Sequence, residues 1–136
     1  MYYKVIISLL FLFVLIGCNN SVENNPTDEA KLQICFQNNS SYQLNNLTVS
    51  NKLIGSLESK LSSQYIAFES FGFDTGMPDE NANAVVNGKT ITNHNRGYWC
   101  GTEKIKADSG KYLIKIAVID TVLHLSCENA PTIDYP

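Results

Sequence analysis

Four residues near the amino terminus, Leu15-Ile16-Gly17-Cys18, place a thiol directly after an aliphatic pair and a glycine. That order fits the bacterial lipobox. The thiol of Cys18 takes a diacylglycerol, and the small Gly17 lets a signal peptidase reach the bond before the cysteine. Upstream, Lys4 is the only charged residue, and Val5 to Ile16 carry Ser8 as their single polar side chain. A membrane-crossing helix needs about 20 apolar residues, and this run is shorter. It also lacks the polar stripe of a core helix. Residues 1–17 therefore read as a lipoprotein signal peptide and Cys18 as the lipidated residue. Acyl chains contribute about 0.8 kcal/mol per buried methylene, so several of them anchor strongly.

Other reactive side chains are scattered. Asp74-Thr75-Gly76 matches the tripeptide of aspartic proteases, in which two carboxylates share one proton. It occurs once, and the same three residues are an ordinary turn composition. His94, Cys100, His124 and Cys127 are zinc-type ligands. If Val122 to Cys127 is one strand, His124 and Cys127 point to opposite faces, so no metal is expected. Asp74, Asp79, Glu80, Asn81 and Asn83 offer calcium-type oxygens without a recognisable loop spacing. Tyr98 and Trp99 beside Cys100 are the aromatic types that anchor interfaces. With Asp74 and Asp79 they form the expected recognition surface; the competing reading is that they cap one end of the core.

These groups must be positioned by the chain beyond the signal peptide. Removing residues 1–17 leaves 119 of the 136 and takes away Lys4, which moves the net charge from −3 to −4. A mildly acidic chain without a basic cluster argues against nucleic acid as a partner. Residues 18–30 are rich in Asn, Ser, Pro, Asp and Glu, with Val22 the one apolar side chain before Ala30. Such a stretch buries too little to offset its chain entropy and reads as a flexible tether. Residues 31–136 then form one domain, with size for one core.

Its pattern is that of strands. In Lys31 to Gln37, Leu32, Ile34 and Phe36 share one face, and Gln33, Cys35 and Gln37 the other. Asn38 to Ser41 is a turn, and Tyr42 to Ser50 a second strand, after which Gly55 interrupts the chain. Gly55 to Gln64 is either a short helix, with leucines every four residues, or a strand-and-turn connection to Tyr65–Phe68; the second reading is favoured. Phe71 to Glu80 reads as a loop. Ala82–Val86 and Lys89–Thr92 make a hairpin through Asn87-Gly88, whose residues accept positive φ. Asn93 to Gly101 is a loop. Lys111 to Ile119 is the longest strand, Asp120-Thr121 a two-residue turn, and Val122 to Cys127 the last strand. About seven short strands point to an antiparallel sandwich.

The turn at Asp120-Thr121 bears on the three thiols left after lipidation. It sets Ile119 opposite Val122 and Ile114 opposite Cys127, bringing Cys127 to the end of the domain fed by the Cys100 loop. Cys100–Cys127 is the favoured disulfide, with Cys35–Cys127 next, in an exported protein where bridges persist.

Several stretches, in order, resemble small single-domain lipoproteins of Bacteroidetes with an immunoglobulin-like β-sandwich domain. They are Phe36 to Tyr42, Gly55-Ser56-Leu57, Ser63-Gln64-Tyr65 with Phe68, Val85 to Lys89, and Gly110-Lys111-Tyr112. The resemblance implies a sandwich on a lipid anchor and no catalytic residues. Asp120-Thr121-Val122 also resembles an O-glycosylation tripeptide of exported Bacteroidetes proteins. The expected function is a non-enzymatic envelope module, cofactor-free, that binds a protein or glycan. The alternative is an immunity or inhibitor protein against a toxin or lytic enzyme. Asn19, rather than Asp, after Cys18 allows an outer-membrane address.

Overall fold

A computed structural model describes residues 31–93 and 104–132. Every regular element among them is a strand. In chain order they are β1 (Leu32–Asn38), β2 (Leu44–Val49), β3 (Lys52–Leu57), β4 (Ile66–Phe68), β5 (Phe71–Asp74) and β6 (Met77–Pro78), then β7 (Ala82–Val86), β8 (Lys89–Thr92), β9 (Lys104–Ala107), β10 (Gly110–Ile119) and β11 (Val122–Cys127). The all-β reading is correct. The count of about seven is too low, because eleven strands fall in three sheets, ordered β11-β10-β1-β4, β3-β2-β7-β8 and β6-β5-β9.

The period-two pattern explains the core. Leu32, Ile34 and Phe36 of β1 and Ile114 and Ile116 of β10 are buried, and Leu123 and Leu125 of β11 continue the same face. The second sheet contributes Leu44, Leu47, Val49, Leu57, Ala82, Ala84, Val86 and Ile91 to the same cluster. Complete burial of one such aliphatic side chain stabilises by about 1.5–3 kcal/mol before chain entropy is set against it.

Three expectations about the elements need correction. First, β1 pairs parallel to β10, Leu32 facing Gly110 and Asn38 facing Ile116, so the arrangement is not antiparallel throughout. Parallel neighbours need a long crossover, here the whole chain between the two strands. Second, Gly55 does not interrupt a strand: β3 runs through it, with Leu47 opposite Gly55 and the register shifting on either side. Its φ of 106° absorbs that bulge, a conformation glycine adopts without penalty. Third, Phe71 to Glu80 is a hairpin and not a loop. Phe73 faces Pro78 and Asp74 faces Met77 across Thr75-Gly76. Phe71 and Phe73 alternate across Gly72 and are buried, and β9 covers the other side of β5. Gly72 allows a close approach there: an added Cβ would meet the Asp79 carbonyl oxygen at 3.1 Å and Glu80 Oε1 at 3.2 Å, so those neighbours would have to give way. An edge-to-face and tilted row of rings, Phe36, Phe68, Phe71, Phe73 and Tyr112, joins this third sheet to the first, with centroids 5.2–6.0 Å apart.

Register defines two poles. Gly110 donates its N–H to the Lys31 carbonyl, and Leu32 also faces Phe68. Phe71 faces Ala107 close by, Asp79 donates to the Gly72 carbonyl, and Ser50 to that of Asn81. The third sheet and the start of β7 therefore share the pole at which Lys31 leads into β1. At the far end of β1, Asn39 donates to Ile116, and Asp120-Thr121 turns β10 into β11. Both of its residues have positive φ, 48° and 65°, the mirror-image turn that suits strand twist. Asn87-Gly88 does the same at 48° and 77°.

Candidate functional site

The residues singled out for chemistry are placed as follows. Cys18, His94, Tyr98, Trp99 and Cys100 lie outside the described residues. Asp74-Thr75-Gly76 is a hairpin turn, with Thr75 Oγ1 donating to Asp74 Oδ1 at 3.0 Å. Asp79 receives Lys104 Nζ at 3.0 Å. Glu80 Oε1 accepts the Gly72 N–H at 2.7 Å. Asn93 receives the Ala82 N–H at 2.8 Å and donates to the Glu80 carbonyl at 2.6 Å. The hairpin brings Asp74 and Asp79 to one pole, but their carboxylates serve separate local contacts. Among the described residues no three His, Cys, Asp or Glu side chains gather as metal ligands.

Ile114 faces Cys127 and Ala117 faces His124, as the two-residue turn requires. His124 is exposed while Cys127 is partly buried on the other face. Cys35 is buried, and its thiol donates to the Ser63 carbonyl at 3.2 Å. The polar-side position expected for Cys35 is thus a covered one. Cys35 and Cys127 are both free thiols. β10 lies between their strands, with Cys35 facing Leu113 and Cys127 facing Ile114. Two interstrand steps of about 4.8 Å each exceed the reach of a disulfide, which excludes Cys35–Cys127. The favoured partner of Cys127, Cys100, is among the residues not described. Burial pushes the Cys127 thiol pKa up, the Asn129 contact lowers it in part, and the charge of Glu128 raises it further.

A concave site that the sequence reading did not single out lies at the opposite pole, between the β7–β8 and β10–β11 turns. The cleft has a volume of about 670 Å³, and its floor is Val86, Ile91 and Val118. Tyr42, Asn87, Lys89 and Asp120 line its rim. Tyr42 is 43% exposed. Its ring, the Asn87 amide, the Lys89 ammonium and the Asp120 carboxylate have no partner among the described residues. This contrasts with Asp79 and Glu80, whose carboxylates are engaged in holding the third sheet.

Local chemistry fixes the cleft. Asn38 is fully buried, and its amide donates to the carbonyls of Tyr42 at 2.7 Å and Leu57 at 2.9 Å. Its oxygen accepts from Ser40 N and Oγ at 3.0 and 2.6 Å. Ser40 Oγ also contacts the Tyr42 N–H and carbonyl. Both hydrogen-bonding ends of the buried amide are thereby satisfied, as its burial demands. The network clamps the backbone of Tyr42, and the two tight turns set the opposite rim. The sequence signal for the cleft is the pairing of those turns, which only the strand order brings to one pole.

Compared with protein-family models, curated proteins and solved structures, the chain finds no match.

Proposed function

We propose that the chain is a lipid-anchored, non-enzymatic protein of the bacterial cell envelope whose immunoglobulin-like β-sandwich is a binding module. The observation that carries this reading is Leu15-Ile16-Gly17-Cys18 directly after a twelve-residue apolar run with a single upstream lysine. Polar residues then separate Cys18 from β1, and two four-stranded sheets share one core. The binding role is supported by the polarity of the domain. Lys31 leads in at one pole and the open cleft lies at the other, so an anchored domain presents the cleft away from its lipid. Asn19 after the cysteine is compatible with the outer membrane. The only acid nominated for catalysis, Asp74, is a turn residue hydrogen-bonded to its neighbour, which favours a binding role over a reaction.

The test is a Cys18→Ser variant expressed in a bacterial host. Wild-type protein is expected to incorporate labelled palmitate and to sediment with membranes. The variant is expected to lose the label and to leave the membrane fraction. A variant that still carries label and sediments would overturn the anchoring.

A further inference from the structure

The cleft has a composition that selects a ligand class. Its floor is aliphatic, and its rim holds the Tyr42 ring, the Asn87 amide, the Lys89 ammonium, the Asp120 carboxylate and the hydroxyls of Thr90 and Thr121. The Thr121 hydroxyl donates to the Asp120 carbonyl, while the amide, ammonium and carboxylate are unspent among the described residues. Small-molecule sites share this plan of apolar lining with a few convergent polar groups, in volumes of about 300–1,000 Å³. Lys89 and Asp120 oppose each other in sign, so the rim has no net charge to recruit an anion or a cation. A purely apolar ligand would cover the amide, ammonium and carboxylate without satisfying them, which opposes its binding. A ring bearing several hydroxyls fits both demands. Each hydroxyl donates and accepts, Asp120 accepts only, Lys89 donates only, and Asn87 does both. The C–H face of such a ring packs on the exposed face of Tyr42, a rigid amphipathic surface.

We infer that the cleft between the Asn87-Gly88 and Asp120-Thr121 turns is a binding site for an uncharged carbohydrate chain. Tyr42 stacks one sugar ring, Asp120 and Asn87 accept from its hydroxyls, and Lys89 donates to them. Val86, Ile91 and Val118 receive the apolar edge. Preorganisation lowers the ordering cost of binding. It is supplied by the positive-φ turns and by the Asn38–Ser40 clamp on Tyr42. This inference rests on the reading of the domain as a binding module and names what the module holds.

The test uses the mature lipidated protein in a sugar-free detergent, titrated by NMR with maltotriose, cellotriose, mannotriose and chitotriose, and with trialanine as a second arm. At least one trisaccharide is expected to bind saturably. Tyr42→Ala is expected to weaken it at least about tenfold, while Tyr42→Phe keeps affinity within about threefold. Leu53→Ala, on the outer strand β3, is expected to change nothing. Circular dichroism of each variant controls for folding. Absence of saturable binding across the four sugars overturns the ligand class, as does sugar binding indifferent to Tyr42→Ala in a folded protein. Trialanine binding in place of every sugar also overturns it, yet leaves the module reading intact. Failure of palmitate labelling would overturn the anchoring without touching the cleft.

Discussion

The side-chain amide of Asn38 reaches the carbonyl oxygen of Tyr42 at 2.7 Å from a position with no solvent exposure. A buried polar side chain thus sets the backbone of an exposed aromatic one. The strand that carries Asn38 is otherwise apolar on that face, so the asparagine is a local exception with a positional role.

Asn38→Ala should therefore be costly. It leaves the Leu57 carbonyl and the Ser40 N–H without their present partners and weakens the hold on Tyr42. A loss of about 2–4 kcal/mol is expected, with Ser40→Ala losing about 1–2 kcal/mol. Urea unfolding followed by circular dichroism measures both. An Asn38→Ala loss below about 1 kcal/mol would show that water replaces the network at little cost.

Thr121 offers the opposite sign. A β-branched residue at φ 65° is held in the left-handed region, which costs about 1–2 kcal/mol. Thr121→Gly relieves this and adds back about 0.5–1 kcal/mol of unfolded-chain entropy. A net gain of about 0.5–1 kcal/mol is expected. Gly88→Ala is the mirror test: no atom lies within 4 Å of the added Cβ, so its expected loss of about 1 kcal/mol is conformational. Thermal melts of the two variants should move in opposite directions.

Phe71 joins the third sheet to the first through Phe68 and Phe73, and it is fully buried. Phe71→Ala should cost about 3–5 kcal/mol through lost transfer energy and the cavity left behind. Hydrogen exchange should show β5, β6 and β9 losing protection ahead of β1 and β10. Uniform loss across all strands would mean that the third sheet has no separate stability.

The Cys127 thiol gives a pH dependence. Desolvation raises its pKa in the folded reduced protein, and Glu128 adds to the shift against the lowering by Asn129. A raised folded value favours the protonated thiol. The stabilisation is complete below the ordinary thiol value of about 8.5 and is lost as pH rises through the folded value. Urea midpoints should fall more steeply above about pH 8.5 for the wild type than for Cys127→Ser. Parallel slopes would remove the thiol from the account.

Much of the first sheet was legible because its strands alternate cleanly and one face is apolar. Leu32, Ile34 and Phe36, and the opposition of Ile114 and Cys127, follow from period two and a two-residue turn. The third sheet was not legible. Gly72, Gly76 and Pro78 dilute the signal of Phe71 and Phe73, and Lys104 to Ala107 is short and half charged. The parallel partnership of β1 with β10 was hidden too, since it joins segments 78 residues apart with no local turn to announce it. The cleft escaped for a related reason: Tyr42, Asn87 and Asp120 meet only after strand order is known. Asp74 and Asp79 stood out by type, and the structure instead places them at the Lys31 pole in separate contacts.

The central place of β1 has a mechanical meaning. This strand leads from Lys31 toward the cleft and is hydrogen-bonded along both sides, to β10 and to β4. Suppose the lipid holds one end of the chain while a ligand is pulled at the far pole. The load then runs lengthwise along β1, and its ladder bonds are strained together in shear rather than opened one at a time. Forced unfolding is governed by the rate of crossing that barrier. On that supposition, β1 is the strand best placed to bear tension between the lipid and the ligand.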